Sequence, residues 1–169
     1  YAVVTMAGGQ GTRLGWKGPK GTYKLDIGNS GKYIFEILTE NLKKSKELYG
    51  ILPYWYIMTS KQNYDETVSF FKKHNFFGYE NEKIKFFMQD ELPMLTEDGK
   101  IVIENNRIKT GSNGNGGVYS AMEKQNIIDD IKSKNIKWVY ICGVDNIMVN
   151  PIDSIFIGET ISNNMQIAS

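Results

Sequence analysis

The sequence predicts an α/β fold: a mainly parallel sheet flanked by helices. Two observations carry this. Short apolar runs alternate with stretches of helical period, the pattern of βαβ units. The first run, Tyr1-Ala2-Val3-Val4-Thr5-Met6, opens directly into the glycine-rich segment Gly8–Lys20, as a strand feeding a ligand loop does.

The elements follow in order. Tyr1–Met6 reads as a buried strand. Ser30-Gly31-Lys32 leads into a helix over Tyr33–Tyr49, with Ile34, Ile37, Leu38, Asn41, Leu42 and Leu48 spaced for an amphipathic helix. Tyr54–Met58 is a second strand, ending at Thr59-Ser60. Asn63 is expected to cap a helix over Tyr64–His74, with Glu66 completing a capping-box pattern. Phe70, Phe71, Phe76 and Phe77 read as core or helix-flank packing, and His74 complements the helix dipole at its end. Ile84–Met88 is the third strand. Leu95-Thr96, the turn Glu97-Asp98-Gly99 and Ile101–Ile103 predict a β-hairpin inserted at the sheet edge. Gly116-Gly117 opens a helix over Val118–Lys124, continued by Ile127–Lys134. Trp138–Cys142 is the fourth parallel strand, Ser154–Ser162 a last helix, and Met165–Ser169 the opening of another strand.

The 169 residues suffice for one domain with a core. With 20 basic and 19 acidic side chains the net charge is +1, which gives no electrostatic case for nucleic acid or an anionic membrane. No apolar stretch reaches the ~18 residues of a membrane span. The single cysteine, Cys142, excludes an internal disulfide, fits a reducing, cytoplasmic compartment, and reads as a buried strand residue.

The loop Gly8-Gly9-Gln10-Gly11-Thr12-Arg13-Leu14-Gly15 is built to hold phosphate. Glycines let backbone N–H groups approach an anion, and Arg13 and Lys20 add fixed positive charge. Neither common template fits. Counting from Gly9, the sixth position of a dinucleotide fingerprint is Leu14, and Gly15 arrives one residue late; no Gly-Lys-Ser/Thr run of a Walker loop occurs.

Ala7-Gly8-Gly9-Gln10-Gly11-Thr12-Arg13-Leu14-Gly15 with Pro19-Lys20 resembles the signature loop of the UDP-sugar pyrophosphorylases, nearest to the UDP-N-acetylhexosamine branch. Three further segments match in the family's order: Phe86–Pro93, Asn113–Gly117 and Gly143–Asn146. The resemblance implies a GT-A-like, Rossmann-related nucleotidyltransferase that makes UDP-sugar and pyrophosphate from UTP and a sugar 1-phosphate, with Mg²⁺. It implies that residues 1–169 are the N-terminal part of a catalytic domain, the remainder and a C-terminal domain lying beyond. A non-catalytic nucleotide-sugar-binding module and a glycosyltransferase of the same fold are the alternatives; the sugar and the oligomeric state stay open.

The chemistry agrees with such a site. A sugar phosphate is already anionic and needs no general base; the task is to align two anions and neutralise charge. Arg13 makes forked phosphate contacts and Lys20 reaches the α-phosphate as a point charge. The resemblance implies that Gly8, Gly9, Gly11 and Thr12 form the nucleotide cradle. The resemblance places uracil on Gln89 and on the Gly114 backbone, and the sugar on Asn115; read from sequence alone, Asn115 is a helix N-cap. The family often has Pro before that motif, where this chain has Thr110-Gly111-Ser112. Asp145, leaving an apolar strand, is the metal ligand the resemblance implies, its bland alternative being an Asx turn; Asn146 supports the turn.

Overall fold

Side chains that alternate between the two faces of four strands build two cores on one sheet. The computed structural model describes residues 1–27 and 30–169. Strands β1 (Ala2–Met6), β4 (Tyr54–Thr59), β5 (Ile84–Met88) and β10 (Val139–Gly143) pair in parallel in the order β10-β1-β4-β5. Successive side chains point to opposite faces. Val3, Trp55 and Ile57 therefore enter one core, and Ala2, Val4, Tyr56 and Met58 the other.

Each core is covered by its own helices. Helices α1 (Ile34–Tyr49) and α2 (Tyr64–Lys73) supply Ile34, Phe35, Leu38, Leu42 and Phe71 to the first. Helices α3 (Val118–Lys124) and α4 (Ile127–Ser133) supply Val118, Ala121, Met122, Ile127 and Ile131 to the second. A last helix, α5 (Ser154–Ser162), starts at Asp153, whose Oδ1 accepts from the N–H groups of Ile155 and Phe156 at 2.9 and 3.1 Å. The chain thus moves from β1 to β4 to β5 through helices on one face. It then returns through helices on the other face to place β10 beyond β1. Such a reversal of winding opens a crevice at the carboxyl ends of the two strands that flank it, here β1 and β10.

Several expectations need correction. Ser30–Tyr33 is a strand, β3, pairing antiparallel with β2 (Lys24–Ile27) before α1 begins. Within α1, Leu48 is exposed, since the last turn overhangs the core. Asn63 sits at the N-cap position of α2 but its side chain accepts nothing from the helix; tertiary partners claim it, as described below. The hairpin around Thr96–Lys100 exists, closed by the Leu95–Ile101 bridge, but is not joined to the main sheet. It belongs to a separate excursion in which β6 (Glu91–Pro93) pairs with β9 (Thr110–Ser112), and β7 (Ile103–Glu104) with β8 (Arg107–Ile108). The β7–β8 turn is Asn105-Asn106, with φ of 51° and 60°, the left-handed pair that a tight hairpin favours. Residues 165–169 form no strand and are exposed. Cys142 is half-buried rather than buried, beside the Thr5 hydroxyl, and burial pushes its thiol pKa up.

One close approach fixes α1 against the Lys20–Thr22 turn that follows the glycine loop. Gly21 is buried under the Phe35 ring, and a Cβ there would lie 2.2 Å from Phe35 Cε2. Gly21→Ala is therefore expected to destabilise the fold by about 1–3 kcal/mol through overpacking, read as a lower urea midpoint at unchanged slope. Adding Phe35→Leu should restore part of that loss.

Candidate active site

The glycine loop grows out of β1 at the crevice. Ala7 N–H still donates to Met58 O at 2.7 Å, so the strand is held up to the first glycine. Beyond it the loop folds back on itself. Gly11 N–H donates to Gly18 O at 2.9 Å and Lys20 N–H to Gly9 O at 3.1 Å, so Gln10 and Pro19 bridge as a short antiparallel pair. Trp16 Nε1–H donates to Thr22 Oγ1 at 3.0 Å and packs over Gly11, where a Cβ would meet its side chain at 2.8 Å. Gly15 closes the Thr12–Leu14 turn with φ 71°. The N–H groups of Gly8, Gly9 and Gln10 have no acceptor among the described residues. Unpaired backbone donors gathered in one loop are the elements of an anion site.

Gln89 lies under this loop. Its backbone N–H donates to Thr59 O at 2.8 Å, continuing the β4–β5 ladder by one residue. Its carboxamide is almost fully buried against Gly8, where a Cβ would stand 2.6 Å from Nε2. A side chain at this position would have to displace the Gln89 carboxamide. Gln89 Nε2 has no acceptor among the described residues, an omission that costs about 1–3 kcal/mol in a folded protein without a ligand.

Lys20 and Asp145 meet across the crevice. Asp145 follows β10, and Val144 N–H donates to Met6 O at 3.0 Å, so the ends of β1 and β10 stay together up to this carboxylate. Lys20 Nζ donates to Asp145 Oδ1. The lysine is mostly covered, with a side-chain exposure of 20%, whereas Asp145 stands open at 67%. A Cβ on Gly9 would lie 4.0 Å from Lys20 Nζ, so loop, cation and carboxylate are adjacent. The Asx turn belongs to Asn146, whose Oδ1 accepts from Met148 N–H at 3.1 Å; Asp145 itself is not spent on it. Asn41 Nδ2 donates to Ile147 O at 3.2 Å and ties this loop to α1.

The remaining residues flank this centre. Asn113 N–H donates to Asp90 O at 3.2 Å, which holds the turn 113–117 next to Gln89. Gly114 has φ 80° in open space, so glycine is needed there for its backbone rather than for room. Asn115 is exposed and its side chain caps nothing; the N-cap of α3 is Gly117. Arg13 and Thr12 are exposed on their turn, and Arg13 makes no ion pair among the described residues. Gly8, Gly9, Lys20, Gln89 and Asp145 are thus brought together, while Arg13 and Asn115 stand at the rim. Asn63 escaped the sequence reading: it is fully buried and bonds to the carbonyls of Gly8 and Gly9. Local sequence makes it look like a cap, and no motif distinguishes the two.

Asp145 suits a divalent cation. Magnesium typically takes one or two carboxylates and completes its shell with waters and phosphate oxygens. The structure shows an open carboxylate already drawing a cation, Lys20, with glycine-loop N–H groups nearby that have no acceptor among the described residues. No group of three or more histidine, cysteine or acidic side chains that could hold a metal occurs among the described residues.

Fold and site together define an α/β domain with a glycine-rich loop at its switch point. The family model described as UTP–glucose-1-phosphate uridylyltransferase matches residues 1–168, and the chain belongs to that family. It is 38% identical over 174 residues to the UDP-N-acetylglucosamine pyrophosphorylase of Saccharomyces cerevisiae, covering 99% of this chain and 36% of that protein. It is 37% identical to UDP-N-acetylhexosamine pyrophosphorylase-like protein 1 of Homo sapiens, over 93% of this chain and 32% of that one. The chain therefore spans about a third of the length of these relatives. A solved UDP-N-acetylglucosamine pyrophosphorylase from Trypanosoma brucei, in complex with an inhibitor, superposes with a TM-score of 0.86 at 32% identity, covering 96% of this chain and 35% of that one. The UDP-glucose pyrophosphorylase of Leishmania major, at 17% identity and a TM-score of 0.79, shares the fold. No helix among the described residues is long and apolar enough to cross a membrane.

The Lys20–Asp145 pair holds an exposed carboxylate, and exposed pairs contribute only ~0–1 kcal/mol. Lys20→Met and Asp145→Asn should each change unfolding free energy by less than about 1 kcal/mol in chemical denaturation. A larger loss would make the pair a structural tie rather than part of the site.

Proposed function

We propose that this chain carries the nucleotide-binding part of a uridylyltransferase that makes UDP-sugar and pyrophosphate from UTP and a sugar 1-phosphate, an N-acetylhexosamine 1-phosphate being favoured. The observation that carries the reading is the convergence of the Gly8–Lys20 loop, Gln89 and Asp145 on the crevice between β1 and β10. Kinship with named UDP-N-acetylglucosamine pyrophosphorylases, and not with the fold alone, supports the choice of sugar.

Each residue has a role in that reaction. The free N–H groups of Gly8, Gly9 and Gln10 line the triphosphate, with Gly11 and Thr12 shaping the loop around it. Lys20 leaves Asp145 for the α-phosphate, where its charge offsets the negative charge that builds as the sugar phosphate attacks. Arg13 grips the outgoing pyrophosphate by its planar fork. Gln89 offers its unpaired amide to uracil, which presents both donors and acceptors. Gly114 lies against the base, and Asn115 at the rim faces the sugar. Asp145 would hold Mg²⁺, which would screen the phosphates from each other. Because the attacking phosphate oxygen is already anionic, no side chain needs to accept a proton. The lone cysteine, which leaves no internal disulfide, supports a cytoplasmic setting.

The full-length protein supplied with UTP, Mg²⁺ and a panel of sugar 1-phosphates should release pyrophosphate, most readily with N-acetylglucosamine 1-phosphate. Arg13→Ala is expected to lower turnover by roughly 10²–10³-fold, the scale of one lost transition-state contact, with the thermal midpoint unchanged. UTP binding without any pyrophosphate release would favour a binding module instead.

A further inference from the structure

Asn63 occupies the first position before α2, where an asparagine ordinarily accepts from the helix N–H groups. Here it does not. Its side chain is fully buried; two of its four hydrogen bonds run to Ser60 just past β4 and two to the glycine loop after β1. Oδ1 accepts from Ser60 N–H at 2.9 Å and from Ser60 Oγ–H at 2.7 Å. Nδ2 donates to the carbonyls of Gly8 and Gly9, both at 3.3 Å. The assignment of oxygen and nitrogen is forced by the partners, since Ser60 N–H only donates and the two carbonyls only accept. One carboxamide thus ties the end of β4 to the phosphate loop that follows β1.

The consequence lies in peptide geometry. In a trans peptide the N–H of one residue points opposite to the carbonyl of the residue before it. Drawing Gly8 O and Gly9 O toward Asn63 turns the N–H groups of Gly9 and Gln10 the other way. Those two N–H groups have no acceptor among the described residues, while Gly9 O also accepts from Lys20 N–H. The glycines supply freedom of approach, but freedom alone leaves the peptide planes undirected. Something must set them, and Asn63 is the side chain that touches both.

We propose that Asn63 is a positioning residue: it holds the Gly8 and Gly9 carbonyls so that the Gly9 and Gln10 N–H groups face bound triphosphate. This rests on the reading of the crevice as a UTP site. Asn63 does not touch nucleotide; it acts through the loop backbone, paying in advance the ordering that phosphate would otherwise impose. A merely structural asparagine would set stability alone, whereas a positioning one sets affinity for phosphate over affinity for the nucleoside.

The test compares wild type with Asn63→Ala by calorimetry, using UTP with Mg²⁺ and uridine alone as probes, together with thermal unfolding. The expected result is a folded variant whose UTP affinity falls by about tenfold or more, the scale of a charge-assisted hydrogen bond, with uridine affinity retained. UTP affinity within about twofold of wild type, or UTP and uridine weakened alike, overturns the proposal. A second measurement does not depend on the variant folding: in the wild-type protein, UTP should shift the amide resonances of Gly9 and Gln10 well beyond those of Gly15. Unmoved Gly9 and Gln10 amides in a UTP-bound protein overturn it as well. A wild type that binds no UTP overturns the functional reading and this inference together, while UTP binding indifferent to Asn63 overturns this inference only.

Discussion

The site depends on one topological constraint, the reversal of winding across β1. Two parallel strands leave the centre of the sheet in opposite directions, β4 toward one edge and β10 toward the other, with their helices on opposite faces. The segments that follow β1 and β10 must therefore part, and the space between them is open to solvent but walled by backbone. Any residue placed directly after either strand arrives at that opening without further engineering. Gly8 and Asp145 are such residues, and the ladder contact from Val144 N–H to Met6 O keeps them level.

Within that frame, the loop solves two problems with different glycines. Gly8 and Gly11 are small because Gln89 and Trp16 occupy the volume a side chain would take, whereas Gly15 and Gly114 are small because their backbones are left-handed. The first pair allows close layering, the second allows sharp turns. Charge is arranged with equal economy. Lys20 rests on an exposed carboxylate in a pair whose contribution to stability is slight, so moving the lysine to a phosphate costs the fold little. A buried, fully paired lysine would be far harder to move.

Much of this was legible in the sequence because it depends on local pattern. The four parallel strands, the helices that cover them and the glycine loop follow from apolar runs, helical spacing and turn chemistry, all of which act over a few residues. The pairing of Ser30–Tyr33 with Lys24–Ile27 was missed because Ser30-Gly31-Lys32 has no strand-like composition; it is a strand by virtue of its partner. The second hairpin was missed although its Asn105-Asn106 turn is a local signal, and the expected docking of the first hairpin on the sheet edge failed because edge pairing is a tertiary choice. Asn63 shows the limit most clearly. Its position relative to α2 invites a capping role, yet Ser60, Gly8 and Gly9 outbid the helix for its carboxamide, and two of those three lie more than fifty residues away.

The central claim is that UTP lies in the β1–β10 crevice with its phosphates on the glycine loop. A crystal structure of the protein with UTP and Mg²⁺ tests it most directly. The account predicts the triphosphate against Gly8–Arg13, uracil at Gln89 and Gly114, and Lys20 Nζ moved from Asp145 to phosphate. Nucleotide bound elsewhere, or bound in the crevice with the Gly9 and Gln10 N–H groups turned away from it, would contradict the account.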